Sequence, residues 1–466
     1  MATRFRYAVA AAALLGGAAC NDFLDVKPVS ELPKEQAITG PTSARAAVLG
    51  IYDALQDGDY YGGDFVLLTD VSSDDVAWTG TFTTYADAED DNLRADNGAV
   101  ESMYNAMYTG IARANFAIAS LPSVAGMSDA EKQQLLGEAY FLRALFYHDA
   151  VRLWGGMQPT DLGVPLVLTP ISNPSSAAPV LRSTVAQVYT QILSDLTQAE
   201  ARLGNGNRPN RASRVAARAL RARVELYQRN WAQAEALATE LINSPLFELS
   251  PSHEAQFTEE GSPTKEDIFK VSFTAVDYSN IGYYYLGRYE TAPDPALMRL
   301  VSPGFNPSNP VATWAPNEER LDWDVFIEPT DKIQMGYKFP TTAGAEDFPV
   351  LRLAEMYLIR AEARAHIGGA SLPLAIADVN VIRRRAGADT LVFGVDATTQ
   401  QEVLNVVERE WRLEFAMEGH RWFVLRRFGT MAAYLTSQGA DLRQERYPIP
   451  QSEINVVPGL QQNPGY

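Results

Sequence analysis

The stretch "EGHRWFVLRR" gathers Glu418, His420, Arg421 and Arg426 within ten residues. A general base, a group that orients it and a cation for a developing negative charge are all present by residue type. The same residues serve equally well as helix-joining ion pairs, with Glu414 or Glu418 facing Arg421 or Arg426 while Trp422 packs. Nothing else in the chain completes a catalytic set. His148, His253, His366 and His420 have no paired spacing for zinc, and there is no nucleophile elbow or glycine-rich phosphate loop. The acidic run Asp87, Glu89, Asp90, Asp91 and Asp96 could coordinate calcium, but an EF-hand loop begun at Asp87 would have Asn92 and Gly98 where glycine and glutamate belong. The expectation is therefore a non-enzymatic protein with no required cofactor.

Aromatic residues in loops offer a different chemistry. A sugar ring has apolar C–H faces and polar edges, so a flat aromatic beside carboxylates or amides can grip it. Trp78 follows "SSDD", which puts Asp74 and Asp75 beside an indole. Tyr283, Tyr285, Trp314 and Trp323 lie in a second loop-like region. These seven residues are the candidate ligand contacts. A net charge of −18 argues against a nucleic-acid partner, whose phosphates demand clustered Lys and Arg.

Amphipathic helices must position them. "STVAQVYTQILSDLTQAEARLG" puts Val185, Val188, Tyr189, Ile192, Leu193 and Leu196 on one face behind a Thr184–Gln187 capping box. The segment after Ser128 repeats the pattern with a Ser128–Glu131 box and a stop at Gly155. Further helices are predicted over 42–56, 99–121, 211–229, 231–243, 351–367, 371–386 and 399–418. Alanine-rich pairs at 214–242 and 352–385 are similar to tetratricopeptide units of about 34 residues. The predicted fold is mostly α, a tetratricopeptide-like α-α superhelix with irregular and short-strand binding segments. Scaffold is expected over about 41–57, 99–244 and 350–430. The binding segments are 58–98 and 245–349. Residues 431–466 read as a segment that wraps across the body, in which Pro448, Pro450, Pro458 and Pro464 exclude regular helix from 448 onward.

The front of the chain reads as a leader. Arg4 and Arg6 precede an apolar stretch that is shorter than the roughly 18–20 residues needed to span a bilayer. "GGAA" then leads to Cys20, the only cysteine in 466 residues. This pattern predicts a signal peptide over 1–19, acylation of Cys20 and a tether over 20–40. More than one acyl chain gives stable attachment without a transmembrane helix.

Four motifs in order, "EAYFLRALFYHDAVRLWGGMQPTDLGVPLV", "LRLAEMYLIRAEARAHIGGASLPLAIADVNVIRRRAGA", "EREWRLEFAMEGHRWFVLRRFG" and "YPIPQSEINVVPGLQQNPGY", behind the opening "CNDFLDVKP", resemble SusD/RagB-type lipoproteins. The resemblance runs from Cys20 to Tyr466 and is weakest through 245–345. It implies a surface-exposed outer-membrane lipoprotein that binds nutrient oligomers, above all oligosaccharides. It also implies a partner, a TonB-dependent β-barrel transporter of the SusC type, for which the protein acts as a lid. A lipid-anchored helical scaffold that binds only proteins is the alternative. Such a scaffold should bury Trp78 and Trp314 or hold them at a protein interface.

Overall fold

The structure, a computed structural model, describes residues 38–171, 178–257, 264–330 and 332–466. The expected signal peptide, Cys20 and nearly all of the tether lie outside the described residues.

The long helices are α1 (Pro41–Asp53), α2 (Asp64–Val71), α3 (Gly98–Ser120), α4 (Asp129–Trp154), α5 (Val185–Arg202), α6 (Arg214–Tyr227), α7 (Trp231–Ile242), α8 (Leu353–Ile367), α9 (Leu372–Arg385), α10 (Gln400–Glu414) and α11 (Arg421–Phe428). Local signals set their starts. Thr184 and Gln187 form the full capping box of α5, and Thr399 with Glu402 does the same for α10. Ser128 accepts from the Glu131 amide, but the Glu131 side chain pairs with Arg45 instead of returning to the cap. Neighbours in sequence pack as neighbours in space from α3 through α7. The stack then continues directly from α7 onto α8, and α8 packs on both α9 and α10. The residues between α7 and α8 are thus an excursion from a continuous α-α superhelix. Among the described residues, no helix is long and apolar enough to cross a membrane.

Helix α2 corrects the reading of 58–98 as irregular. All eight of its residues, DFVLLTDV, are buried. An element buried all round has no polar face and hence no periodicity to read. The wrapping segment is also partly helical, at Met431–Gln438 and, contrary to the reading from 448 onward, at Gln451–Val456 directly after Pro450. It crosses the body through Tyr447, fully buried and sharing a hydrogen bond with Ser72. The Trp154 indole donates to the Pro448 carbonyl at 3.0 Å, and the Tyr466 hydroxyl donates to the Arg446 carbonyl.

Two-stranded pairings tie down the connecting segments, the excursion included. Strand β1 (Val76–Trp78) runs antiparallel to β5 (Thr291–Pro293) in the register Val76↔Pro293. Strands β2 (Leu162–Pro165) and β3 (Arg182–Thr184) pair beside α5. Strand β4 (Asp267–Val271) pairs with β8 (Phe348–Arg352), and β6 (Val325–Ile327) with β7 (Gln334–Gly336).

A buried ion network fastens the excursion to the superhelix. Arg352 donates to Glu266 at 2.9 Å, Glu414 at 2.6 Å and Glu418 at 2.8 and 3.0 Å. Lys338 reaches Glu418 at 2.9 Å and Asp324 at 3.4 Å. Arg320 pairs with Glu318 and Glu410, and Arg385 with Glu266 and Glu414. The cations surrounding Glu414 hold its carboxyl well below the usual glutamate value despite complete burial. Glu414 and Glu418 therefore serve as internal counter-ions, as the non-catalytic reading requires. Their partners are not Arg421 and Arg426, however. Arg421 pairs with Asp74 and Glu408, and Arg426 donates to backbone carbonyls.

His148 lies in α4 with no exposure and no hydrogen-bond partner for either ring nitrogen among the described residues. Burial, followed by the fields of Arg152, Arg223 and Arg427, pushes its pKa well below 6.5. The unfolded chain thus binds a proton below pH 6.5 that the folded chain refuses, and this contribution to stability falls as pH drops. His148→Phe should remove that slope, worth about 1.4 kcal/mol per pH unit. Urea unfolding at pH 7.5 and 5.0 should show the parent losing roughly 2 kcal/mol more than the variant. Equal losses would place the acid sensitivity elsewhere.

Candidate functional site

The β1–β5 pairing brings residues 76–90 and 283–293 together, joining the two loop-rich segments into one surface. Its ladder is extended by the Thr79 amide donating to the Glu290 carbonyl at 2.7 Å. Residues Tyr283–Gly287 form a single π-helical turn, a device frequent at functional positions. Tyr289 follows in the left-handed region at φ 57°, which is uncommon for a bulky residue.

Phe82 and Tyr283 are 48% and 44% exposed on this surface, and Tyr289 is 57% exposed. The Arg288 guanidinium lies 4.6 Å from the Phe82 ring centroid and 5.7 Å from that of Tyr283. Arg288 is itself held by an ion pair to Glu290. Two glycines let the surface close. A Cβ on Gly80 would come within 2.4 Å of the Trp78 ring and 2.8 Å of Glu290 Cβ. One on Gly287 would meet the Tyr283 ring at 2.9 Å.

A second layer supports these rings. The Tyr85 ring packs tilted against Trp78 at 4.8 Å and edge-on to Tyr284 at 5.9 Å. The Tyr85 hydroxyl donates to Asp64 at 2.8 Å and Tyr284 does so at 3.3 Å. Burial raises the Asp64 carboxyl to about 6 even though both hydroxyls pull it down. The result is a pair of exposed rings flanking a guanidinium, on a base locked by hydrogen bonds to one carboxylate. Chemically this surface offers C–H/π contact and charged or polar groups at its edge, which suits a sugar or another flat, hydroxyl-rich ligand. Nothing in it resembles a nucleophile with an oriented base.

The sequence candidates divide sharply. Tyr283 sits on this surface and is open to a ligand. Trp78 is only 6% exposed and serves as floor under Tyr85. Tyr285 is 1% exposed, its hydroxyl bonded to Asp70 at 2.5 Å. Asp75 is fully buried against Arg412 at 2.7 Å, and Asp74 pairs with Arg412 at 3.0 Å and Arg421 at 2.7 Å. Both carboxylates thus clamp the start of β1 to α10 and α11, which removes them as free ligand contacts. Trp314 is half-buried edge-on to Phe305, and Trp323 packs against Tyr337. These two belong to separate clusters from the Phe82–Tyr283 pair.

Phe82 and Arg288 were not anticipated from sequence. A phenylalanine amid threonines in "TGTFTTY" is the one signal that could have marked Phe82. The acidic run does not converge. Asp87 accepts from Asn97, and Glu89 accepts from the Trp78 amide at 2.6 Å. Among the described residues, no group of three or more His, Cys, Asp or Glu side chains could hold a metal.

A family model described as "SusD family" matches residues 337–466, and one described as "Starch-binding associating with outer membrane" matches residues 22–226. The chain is 26% identical to SusD-like protein P38 of Formosa agariphila, covering 96% of each. It is 39% identical to the starch-binding protein SusD of Bacteroides thetaiotaomicron over 130 residues, which are 26% of this chain and 22% of that one. Among solved structures, a laminarin-binding SusD-like protein superposes with a TM-score of 0.76 at 24% identity, covering 92% of this chain and 100% of that one. A SusD superfamily protein from Bacteroides thetaiotaomicron superposes with a TM-score of 0.78 at 23% identity, covering 91% and 99%.

Proposed function

Because the chain belongs to the SusD family of glycan-binding, outer-membrane-associated proteins, we propose that it captures oligosaccharides on the cell surface and passes them to a TonB-dependent β-barrel transporter. It works there as a lid, held to the outer membrane by an acylated Cys20. The observation that carries this reading is the exposed Phe82–Arg288–Tyr283 surface, assembled by the β1–β5 pairing. The laminarin-binding relative supports a glycan as the ligand class. Closure driven by ligand requires that the closed state bind it more tightly than the open one.

Calorimetry against laminari-oligosaccharides and malto-oligosaccharides tests the binding step. Saturable binding of at least one series is expected. No binding to any oligosaccharide or peptide would overturn it. Co-purification of a large β-barrel protein with the chain tests the transporter step.

The burial of Trp78 favours a second reading, a scaffold for protein partners that takes up no small ligand. Under that reading the exposed aromatic surface would bury against a protein, and no glycan would compete for it.

A further inference from the structure

A cavity of about 380 Å³ opens where the end of α4, the loop 156–159, α5, α6 and α11 meet. It shares no residue with the Phe82–Tyr283 surface. Its walls include Arg152, Arg229 and Arg426 and no Asp or Glu, in a chain carrying 18 more acidic than basic side chains. That asymmetry is the first observation.

The second is the state of Arg426. The side chain is 6% exposed. It donates to the Arg152 and Gly155 carbonyls at the end of α4, and no carboxylate pairs with it among the described residues. Its Nε is buried with no partner. The backbone carbonyls of a helix C-terminus offset part of a positive charge. A buried guanidinium with an unmade bond and no counter-ion nevertheless remains costly. Burial lowers the Arg426 pKa to about 10, so it stays cationic at neutral pH. Arg152 spends one end on Asp149 and leaves its Nε unpartnered too. Arg229 is exposed beside them with no ion pair among the described residues. Met157, Pro159 and Tyr189 line the same cavity with carbon surface.

We infer that this cavity is an anion site for one sugar-sized unit bearing a carboxylate or a sulfate. The arginines take the charged group, and the Met157, Pro159 and Tyr189 walls cover the ring. The volume lies within the range of small-molecule pockets, about 300–1,000 Å³. Because it stands apart from the aromatic surface, such a site would let the chain hold an acidic unit independently of a neutral one.

Calorimetry on the full chain at low salt, with galacturonate, glucose 6-sulfate and glucose as probes, tests this. Saturable binding of galacturonate or glucose 6-sulfate, without binding of glucose, is expected. Which of the two binds identifies the charged group. Arg229→Glu, at an exposed position without a pairing to lose, should weaken that binding by about ten-fold or more through charge reversal. Arg426→Gln should abolish it, with circular dichroism reporting that the fold persists. Tyr283→Ala should leave it unchanged, so that loss of neutral-glycan binding and loss of anion binding are separable. Failure of both anions, equal binding of glucose, or no effect of Arg229→Glu would overturn the assignment.

Discussion

Arg352→Met is expected to lower the unfolding free energy by about 3–5 kcal/mol, because removing one member of a buried ion cluster leaves its partners charged without compensation. Arg352 is 1% exposed and is shared by Glu266, Glu414 and Glu418. Its guanidinium also lies 3.9 Å from the Phe415 ring centroid, so the substitution removes a cation–π contact as well. Methionine fills much of the volume but donates nothing. Arg385 and Lys338 remain to offset part of the freed charge. They bond to Glu266, Glu414 and Glu418 already, so neither can replace every lost bond. The measurement is urea unfolding at pH 7.5, with a fall in midpoint and an unchanged slope. A loss under about 1 kcal/mol would show that the cluster is not what fastens the excursion. Adding Glu414→Gln and Glu418→Gln should recover part of the loss, since neutral amides need no counter-ion.

This network explains how much of the molecule could be read from the chain. The superhelix was legible because each of its amphipathic helices needs only its own residues to declare a face and a cap, as α5 and α10 do. The tetratricopeptide-like character followed from alanine spacing in two pairs. Helix α2 was not legible, since DFVLLTDV turns its whole surface inward, burying even Asp64, Thr69 and Asp70, so no exposed polar face marks a helical period. The two segments carrying the site were legible as regions, through their loss of helical period and their aromatics. Individual residues were not. Trp78, Tyr285 and Asp75 look like ligand contacts in sequence because aromatic and acidic residues in loops are usually solvated. The fold instead lays β5, more than two hundred residues away, alongside β1, and folds Tyr85 over the indole. Asp74 and Asp75 meet arginines from α10 and α11, which no local pattern could announce. Phe82 is the reverse case. Its ring stays half exposed beyond the end of the β1 ladder, and Arg288 comes across from the other segment to sit over it.

Tyr283→Ala is expected to weaken oligosaccharide binding by about ten- to hundred-fold, the equivalent of about 1.4–2.8 kcal/mol. The ring contributes the tyrosine face of the exposed pair and one of the two aromatic contacts that keep the Arg288 guanidinium in place. Alanine removes both at once. It should change stability little, because the side chain is 44% exposed and no hydrogen bond from its hydroxyl is found among the described residues. Tyr283→Phe should keep most of the affinity if stacking dominates and lose it if the hydroxyl grips the sugar edge. Phe82→Ala gives an independent reading from the other segment. If the two segments form one surface, the double variant should lose less than the sum of the single losses, since Arg288 touches both rings. Calorimetry of the parent and the four variants against the oligosaccharide that binds the parent gives each of these losses. Unchanged affinity in both single variants would move the ligand off this surface and leave its exposed rings to a protein partner.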